Sequence, residues 1–180
     1  EDTPSPMRVP RADHTVTMLP SGRLLLAGGC TGSVLVLCGH SSAAETYDPV
    51  GRRFALTGSM SAGRRWHTAT VLPSGSVLVA GGETAKDVNA ASAEIYDPTL
   101  GTFGPTASMS APRAEHTASS LRTGKVLVAG GLGAQVAPHI GQASATERVR
   151  RHPAHRAAFE DVEVALRMLG RHRQRLAGGR

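Results

Sequence analysis

The sequence predicts an all-β protein built from about three similar units, because one residue pattern occurs three times along the chain. The pattern opens with Arg-x-x-His-Thr and runs to a Gly-Gly pair, whose first glycine follows the histidine by 14 residues in each copy. The histidines are 53 and 49 residues apart, and a methionine precedes each by seven positions. The repeated positions are His14, His67 and His116, with the pairs Gly28-Gly29, Gly81-Gly82 and Gly130-Gly131.

Each unit divides into segments of strand length. Residues 68–72 of the second unit are β-branched and apolar, residues 73–75 form a Pro-Ser-Gly turn, and residues 77–80 are a continuous apolar run. The run does not alternate between apolar and polar residues, which predicts a strand covered on both faces. The glycines that follow are expected where φ is positive or the backbone packs closely.

A second landmark, Glu-x-Tyr-Asp-Pro, contains Tyr47 and Tyr96 and is followed by Phe54 and Phe103 seven residues after each tyrosine. It predicts a third strand near residues 93–96 and a short fourth strand around Phe103. A period of about 50 residues lies in the range of one β-propeller blade.

The units resemble kelch motifs, with an apolar strand ending in Gly-Gly, a later Tyr-Asp-Pro and an aromatic residue beyond it. They are similar to the kelch-repeat β-propellers of bacterial proteins and of galactose-oxidase-like enzymes. The resemblance covers residues 1–147 and implies units near 8–60, 61–109 and 110–147, each a four-stranded blade. Because propellers usually close with four to eight blades, we expect a fragment of a longer propeller or a subunit that needs partners. Further blades or self-association are therefore expected.

The basic charge is confined to the last residues of the chain. The whole chain carries a net charge of +6, yet residues 1–147 hold 11 basic and 11 acidic residues, whereas residues 148–180 hold nine arginines and three acidic residues. The repeats are thus not expected to bind nucleic acid. Residues 148–180 are interpreted either as a frameshifted tail, since codons for Val149-Arg150 can spell Tyr-Asp one base out of frame, or as a native basic helix. The apolar spacing predicts a helix over residues 157–169; a disordered tail is the alternative.

Cysteine content and hydropathy bear on the location of the protein. Cys30 and Cys38 are the only cysteines, and they fit either a hairpin disulfide of an exported protein or two unpaired thiols. No membrane span is visible, so no membrane partner is expected. The resemblance implies an extracellular or cell-surface location.

Residues that differ between units are the better candidates for recognition, because a ligand site normally breaks repeat symmetry. These are Asp13, Trp66 and Glu115, which precede the repeated histidines. Trp66 is suited to stacking on a sugar or another flat apolar surface, with a tryptophan wedged between blades as the alternative. The recurring histidines and arginines are instead expected to serve the hydrogen bonding of the repeats themselves rather than a metal.

No catalytic constellation is visible: the sequence lacks a Gly-x-Ser-x-Gly elbow, a phosphate loop and a His-Glu-x-x-His motif. The resemblance to galactose-oxidase-like enzymes implies a copper site with two tyrosine and two histidine ligands. Tyr47 and Tyr96 belong to the repeated Glu-x-Tyr-Asp-Pro element, so neither is assigned as a copper ligand. No metal and no cofactor are therefore expected. The predicted function is a non-catalytic module that binds protein or carbohydrate; the alternative is a fragment of a carbohydrate-active enzyme whose catalytic residues lie elsewhere.

Overall fold

The computed structural model describes residues 5–32, 39–86 and 88–133. This part of the chain contains β-strands and no helix, which confirms the all-β prediction. Because it holds no helix, it holds none that is long and apolar enough to cross a membrane. The strands are β1 Thr15–Met18, β2 Leu24–Ala27, β3 Cys30–Thr31, β4 Gly39–His40, β5 Ala44–Asp48, β6 Arg53–Leu56, β7 Thr68–Val71, β8 Val77–Ala80, β9 Glu83–Ala85, β10 Val88–Asn89, β11 Ala93–Asp97, β12 Thr102–Pro105, β13 Arg113–Ala114, β14 Thr117–Ser120, β15 Val126–Ala129 and β16 Leu132–Gly133.

The first two units form equivalent four-stranded antiparallel sheets. Their strand orders are β1-β2-β5-β6 and β7-β8-β11-β12. The third and fourth strands of each sheet bring the aromatic residues together across the ladder, Tyr47 opposite Phe54 and Tyr96 opposite Phe103. The ring centroids lie 4.7 and 4.9 Å apart, a tilted arrangement that aromatic pairs favour. The repeated spacing of tyrosine and phenylalanine thus fixes the register of the outer strand pair.

Strand β8 of the second sheet is buried on both faces, as its uninterrupted apolar sequence predicts. Val77 packs into a cluster with Leu19 and Leu25 of the first sheet. Leu78 points the other way, into a cluster with Val126 and Val128 of the third sheet, because successive side chains of a strand leave opposite faces. The sheets are therefore stacked face to face, with one apolar layer between each neighbouring pair.

The third sheet is described only as the hairpin β14-β15. Val126 and Val128 are buried, whereas Leu127 and Ala129 are half-buried. Within the described residues, this sheet is thus packed on one face and open on the other.

Short strand pairs extend the sheets beyond the Gly-Gly pairs, and apolar periodicity did not predict them. Strand β3 pairs with β4, β9 with β10, and β13 with β16. The glycines between strand and extension all have positive φ; Gly81, for example, has φ +67° and Gly82 +91°. The chain therefore turns at each Gly-Gly pair into a short segment whose length differs between units.

Residues 148–180, including the predicted helix over 157–169, lie outside the described residues, as does Cys38. Cys30 is disulfide-bonded, and Cys38 is the only other cysteine in the chain.

Candidate functional site

A buried arginine ties the strand ends of each of the first two units together. The side chain of Arg64 is fully buried and donates hydrogen bonds to the carbonyls of Gly81 (2.8 Å) and Ser92 (3.1 Å) and to Glu94 Oε1 (3.1 Å). Burial lowers the pKa of Arg64, and the charge of Glu94 opposes that shift. Arg11 makes the equivalent bonds to Gly28, Ala43 and Glu45, and Arg113 donates to the carbonyl of Gly130. The guanidinium groups of Arg11 and Arg64 are thus occupied within the fold.

The repeated histidines link one sheet to the next. The Nε2 atom of His67 shares a 3.0 Å hydrogen bond with the hydroxyl of Thr15, and His116 does the same with Thr68. Burial and, to a smaller extent, the charge of Arg64 lower the pKa of His67 to about 3. Burial and the charge of Arg113 lower the pKa of His116 to about 4. Both imidazoles are therefore neutral at physiological pH.

Metal ligation is not supported by the arrangement of these side chains. Across the described residues, no group of three or more His, Cys, Asp or Glu side chains is placed to hold a metal ion.

The three candidate recognition residues form a continuous row, here called the left-handed row (Asp13, Trp66 and Glu115). All three have left-handed backbone conformations, with φ of +53°, +55° and +54°. Their backbones are joined in sequence, since Trp66 N lies 3.5 Å from Asp13 O and Glu115 N lies 2.9 Å from Trp66 O. Asp13 and Glu115 are exposed and Trp66 is half-buried. Equivalent backbone sites thus carry an indole flanked by two carboxylates.

An ion-pair cluster around Arg65 and Glu83 supports the indole of Trp66. The Arg65 guanidinium lies over the Trp66 ring, with Cζ 3.7 Å from the ring centroid. It is held there by Glu83 Oε1, which accepts bonds from Arg65 Nη2 (2.8 Å) and Nε (3.2 Å). His40 Nε2 lies 3.0 Å from the same oxygen, and Asp13 Oδ2 is 3.9 Å from Arg65 Nη1. This cation-π contact fixes one face of the ring.

Sequence reasoning named the left-handed row but missed Arg65, Glu83 and His40. The sequence carried a signal for Arg65 and Glu83. The residue after the first arginine of the motif is Ala12, Arg65 or Ala114, and the residue after the Gly-Gly pair is Cys30, Glu83 or Leu132. In both columns the second unit alone is charged, and the two charged residues are opposite in sign.

The tyrosines lie within the sheets, away from the left-handed row. Tyr96 is 2% exposed, and its hydroxyl lies 2.9 Å from Thr57 Oγ1. Tyr47 packs against Phe54. Tyr47 thus completes the packing of its own sheet, whereas Tyr96 packs with Leu25 and bonds to Thr57, so it joins the second unit to the first.

The chain was compared with known families, curated proteins and solved structures. No family model and no curated protein matches it. A solved structure does: a fungal alcohol oxidase of the AA5 family in complex with copper, at 21% sequence identity and a TM-score of 0.57. The likeness is one of fold. It covers 67% of this chain and 27% of the oxidase chain, so the present chain spans about a quarter of that structure.

Proposed function

We propose that this chain is a non-catalytic segment of a kelch-type β-propeller that binds carbohydrate through the left-handed row. The observation that carries the proposal is the placement of one indole between two carboxylates on backbone sites that are otherwise equivalent. The indole offers an apolar surface for the C–H face of a sugar ring, and the flanking carboxylates accept hydrogen bonds from hydroxyl groups. Arg65 and Glu83 hold the ring before a ligand arrives, which reduces the entropy lost on binding.

Binding is expected to depend on Trp66. In isothermal titration calorimetry against a panel of neutral oligosaccharides, Trp66→Ala should weaken binding at least about tenfold, or about 1.4 kcal/mol. Asp13→Asn and Glu115→Gln should weaken it to a smaller extent, because each keeps one acceptor oxygen. Trp66 is the only tryptophan, so the tryptophan fluorescence of the wild-type chain reports on this side chain. Its emission maximum should shift on binding.

A matched control is Val50→Ala. Val50 is 91% exposed and lies in the β5-β6 turn, at the opposite end of the first sheet, so its loss should leave the affinity unchanged. Absence of saturable binding to every oligosaccharide in the panel would refute the proposal, as would equal affinity of the Trp66→Ala variant. Binding of peptides through the same residues would indicate a protein ligand instead.

A second candidate, an enzyme fragment of the AA5 type, is favoured only by the similarity of fold. The residues described here do not fit a copper centre. Tyr47 and Tyr96 belong to the sheets, and the Tyr96 hydroxyl bonds to Thr57.

We therefore expect no stoichiometric copper binding and no oxidation of primary alcohols by the purified chain, since it lacks the ligand set. Metal analysis after copper loading and dialysis, with a peroxide assay on galactose, tests this. One tightly bound copper per chain with a tyrosyl radical signal would favour the enzyme candidate.

A further inference from the structure

Neighbouring sheets are joined by one repeated contact, in which the earlier unit supplies threonine and glycine and the later unit supplies histidine. The Thr15-His67 and Thr68-His116 hydrogen bonds are both 3.0 Å long. A Cβ added to Gly28 would lie 2.6 Å from His67 Cε1, and one added to Gly81 would lie 2.7 Å from His116 Cε1. The same two-part contact therefore occurs at both sheet boundaries.

The same backbone hydrogen bonds join the sheets at both boundaries. The chain leading into the second sheet donates to the first unit, from Met60 N to Ser42 O (2.9 Å) and from Arg64 N to Ser41 O (3.1 Å). The chain leading into the third sheet does the same, from Met109 N to Ala91 O (2.8 Å) and from Arg113 N to Ala90 O (3.1 Å). A glycine of the earlier unit donates in return at each boundary, Gly29 N to Arg64 O and Gly82 N to Arg113 O, both at 2.8 Å.

The chain leading into the first sheet presents the same donor groups without an acceptor. Its head face consists of Met7, Arg11, Asp13 and His14. Among the described residues, the backbone N–H groups of Met7, Arg11 and Asp13 donate no hydrogen bond, and His14 Nε2 has no partner. Met7 is half-buried, whereas its counterparts Met60 and Met109 are each 4% exposed. A cleft of about 580 Å³, lined by residues 8–12 and 30–32, borders this face.

The third unit presents acceptor groups, here called the tail face (Glu115, Thr117 and Gly130). Within the described part of the chain, no atom lies within 4 Å of a Cβ added to Gly130, although Gly28 and Gly81 are both covered at this point. Thr117 is exposed and its hydroxyl bonds within its own hairpin, to the Ala129 carbonyl at 3.3 Å, whereas the hydroxyls of Thr15 and Thr68 bond to a histidine of the next unit. The carbonyl of Glu115 accepts no hydrogen bond from the described residues, whereas those of Asp13 and Trp66 do.

We propose that the head face of one copy of this chain binds the tail face of a second copy, repeating the contact between its own sheets. His14 would bond to Thr117 of the partner copy, Met7 would cover Gly130, and Asp13 N would donate to the Glu115 carbonyl. The open groups of the two faces correspond to the groups that meet at each sheet boundary within the chain. Such an interface is heterologous, so it closes a ring or continues as an open chain. Two copies contain about six units, which lies within the four to eight blades of closed propellers.

The oligomeric state of the full chain tests the proposal. Sedimentation velocity over a concentration series should show reversible association. Thr117→Arg on the tail face and Met7→Arg on the head face should each raise the dissociation constant at least about tenfold. Thr123→Arg is a matched control, because Thr123 is exposed in the turn at the far end of the β14-β15 hairpin. This control should associate like the wild-type chain.

Mixing the two face variants separates a head-to-tail interface from a symmetric one. The Thr117→Arg copy keeps an intact head face and the Met7→Arg copy an intact tail face, so their mixture should recover one interface and form a mixed dimer. Thermal melting of each variant establishes that it is folded. A chain that stays monomeric at all concentrations would overturn the proposal. So would association that neither variant weakens, or folded variants that fail to recover association on mixing.

Discussion

Replacing Arg64 by methionine is expected to lower the free energy of unfolding by about 3–5 kcal/mol, the usual effect of removing one partner of a buried ion pair. Arg64 has no exposed side-chain surface and Glu94 only 7%. The variant leaves the Glu94 carboxylate buried without its counter-charge, and it leaves the carbonyls of Gly81 and Ser92 without the guanidinium donor. Since domains are typically stable by about 5–15 kcal/mol, this loss is a large fraction of the total.

Urea unfolding followed by circular dichroism measures the effect, and Arg23→Met is the matched control. Arg23 lies 3.7 Å from Asp48 in a pair whose arginine side chain is 55% exposed, so its removal should change stability by less than about 1 kcal/mol. Similar losses in the free energy of unfolding for the two variants would mean that the buried Arg64-Glu94 pair stabilises the fold no more than the exposed Arg23-Asp48 pair.

Acid should destabilise the protein between about pH 6.5 and 5, because His67 and His116 are neutral in the folded state. Their folded-state pKa values are about 3 and about 4, whereas an unfolded histidine has a pKa near 6.5. Between these values the unfolded chain binds protons that the folded chain does not, so stability falls as pH decreases. The expected slope is about 1.4 kcal/mol per pH unit for each histidine at the lower end of the window.

Urea unfolding at pH 7.5, 6.5, 5.8 and 5.0 tests this expectation, and His67→Asn supplies the comparison. The variant starts from a lower stability, because it loses the bond to Thr15, but its slope at pH 5 should be smaller than that of the wild-type chain by about 1.4 kcal/mol per pH unit, the share of one histidine. A wild-type stability that stays constant from pH 7.5 to 5.0 would contradict the folded-state pKa values. The window stops at pH 5 because carboxylates begin to titrate below it.

Local patterns were enough to predict the strands of the sheets. Val77–Ala80 is apolar throughout, so its burial on both faces could be predicted before its neighbours were known, and the Gly-Gly pairs indicated where the backbone would turn. The β3-β4 and β9-β10 hairpins could not be predicted, because their two- and three-residue strands carry no apolar periodicity. Their pairing depends on where the preceding glycines direct the chain.

Only part of the candidate site could be predicted from the sequence. Asp13, Trp66 and Glu115 share one position of the repeat, so their differences are visible in an alignment of the units. The contact between Arg65 and Glu83 spans 18 residues and forms because a strand and a turn bring the two together. His40 comes from the preceding unit. Sequence shows that these residues differ from their counterparts, but not that they meet beside the indole.

The division of each sheet contact between two units has a thermodynamic consequence. Gly28 needs the histidine of the next unit to cover it, and that histidine needs the hydroxyl of Thr15, so neither unit satisfies its own boundary groups. The energetics should therefore follow a nearest-neighbour model, in which a single unit is unstable and each added neighbour contributes a favourable coupling term. A substitution at Gly28 would then mainly weaken the coupling between the first and second units. Under such a model, hydrogen exchange should be slowest in β8, whose four residues are all buried.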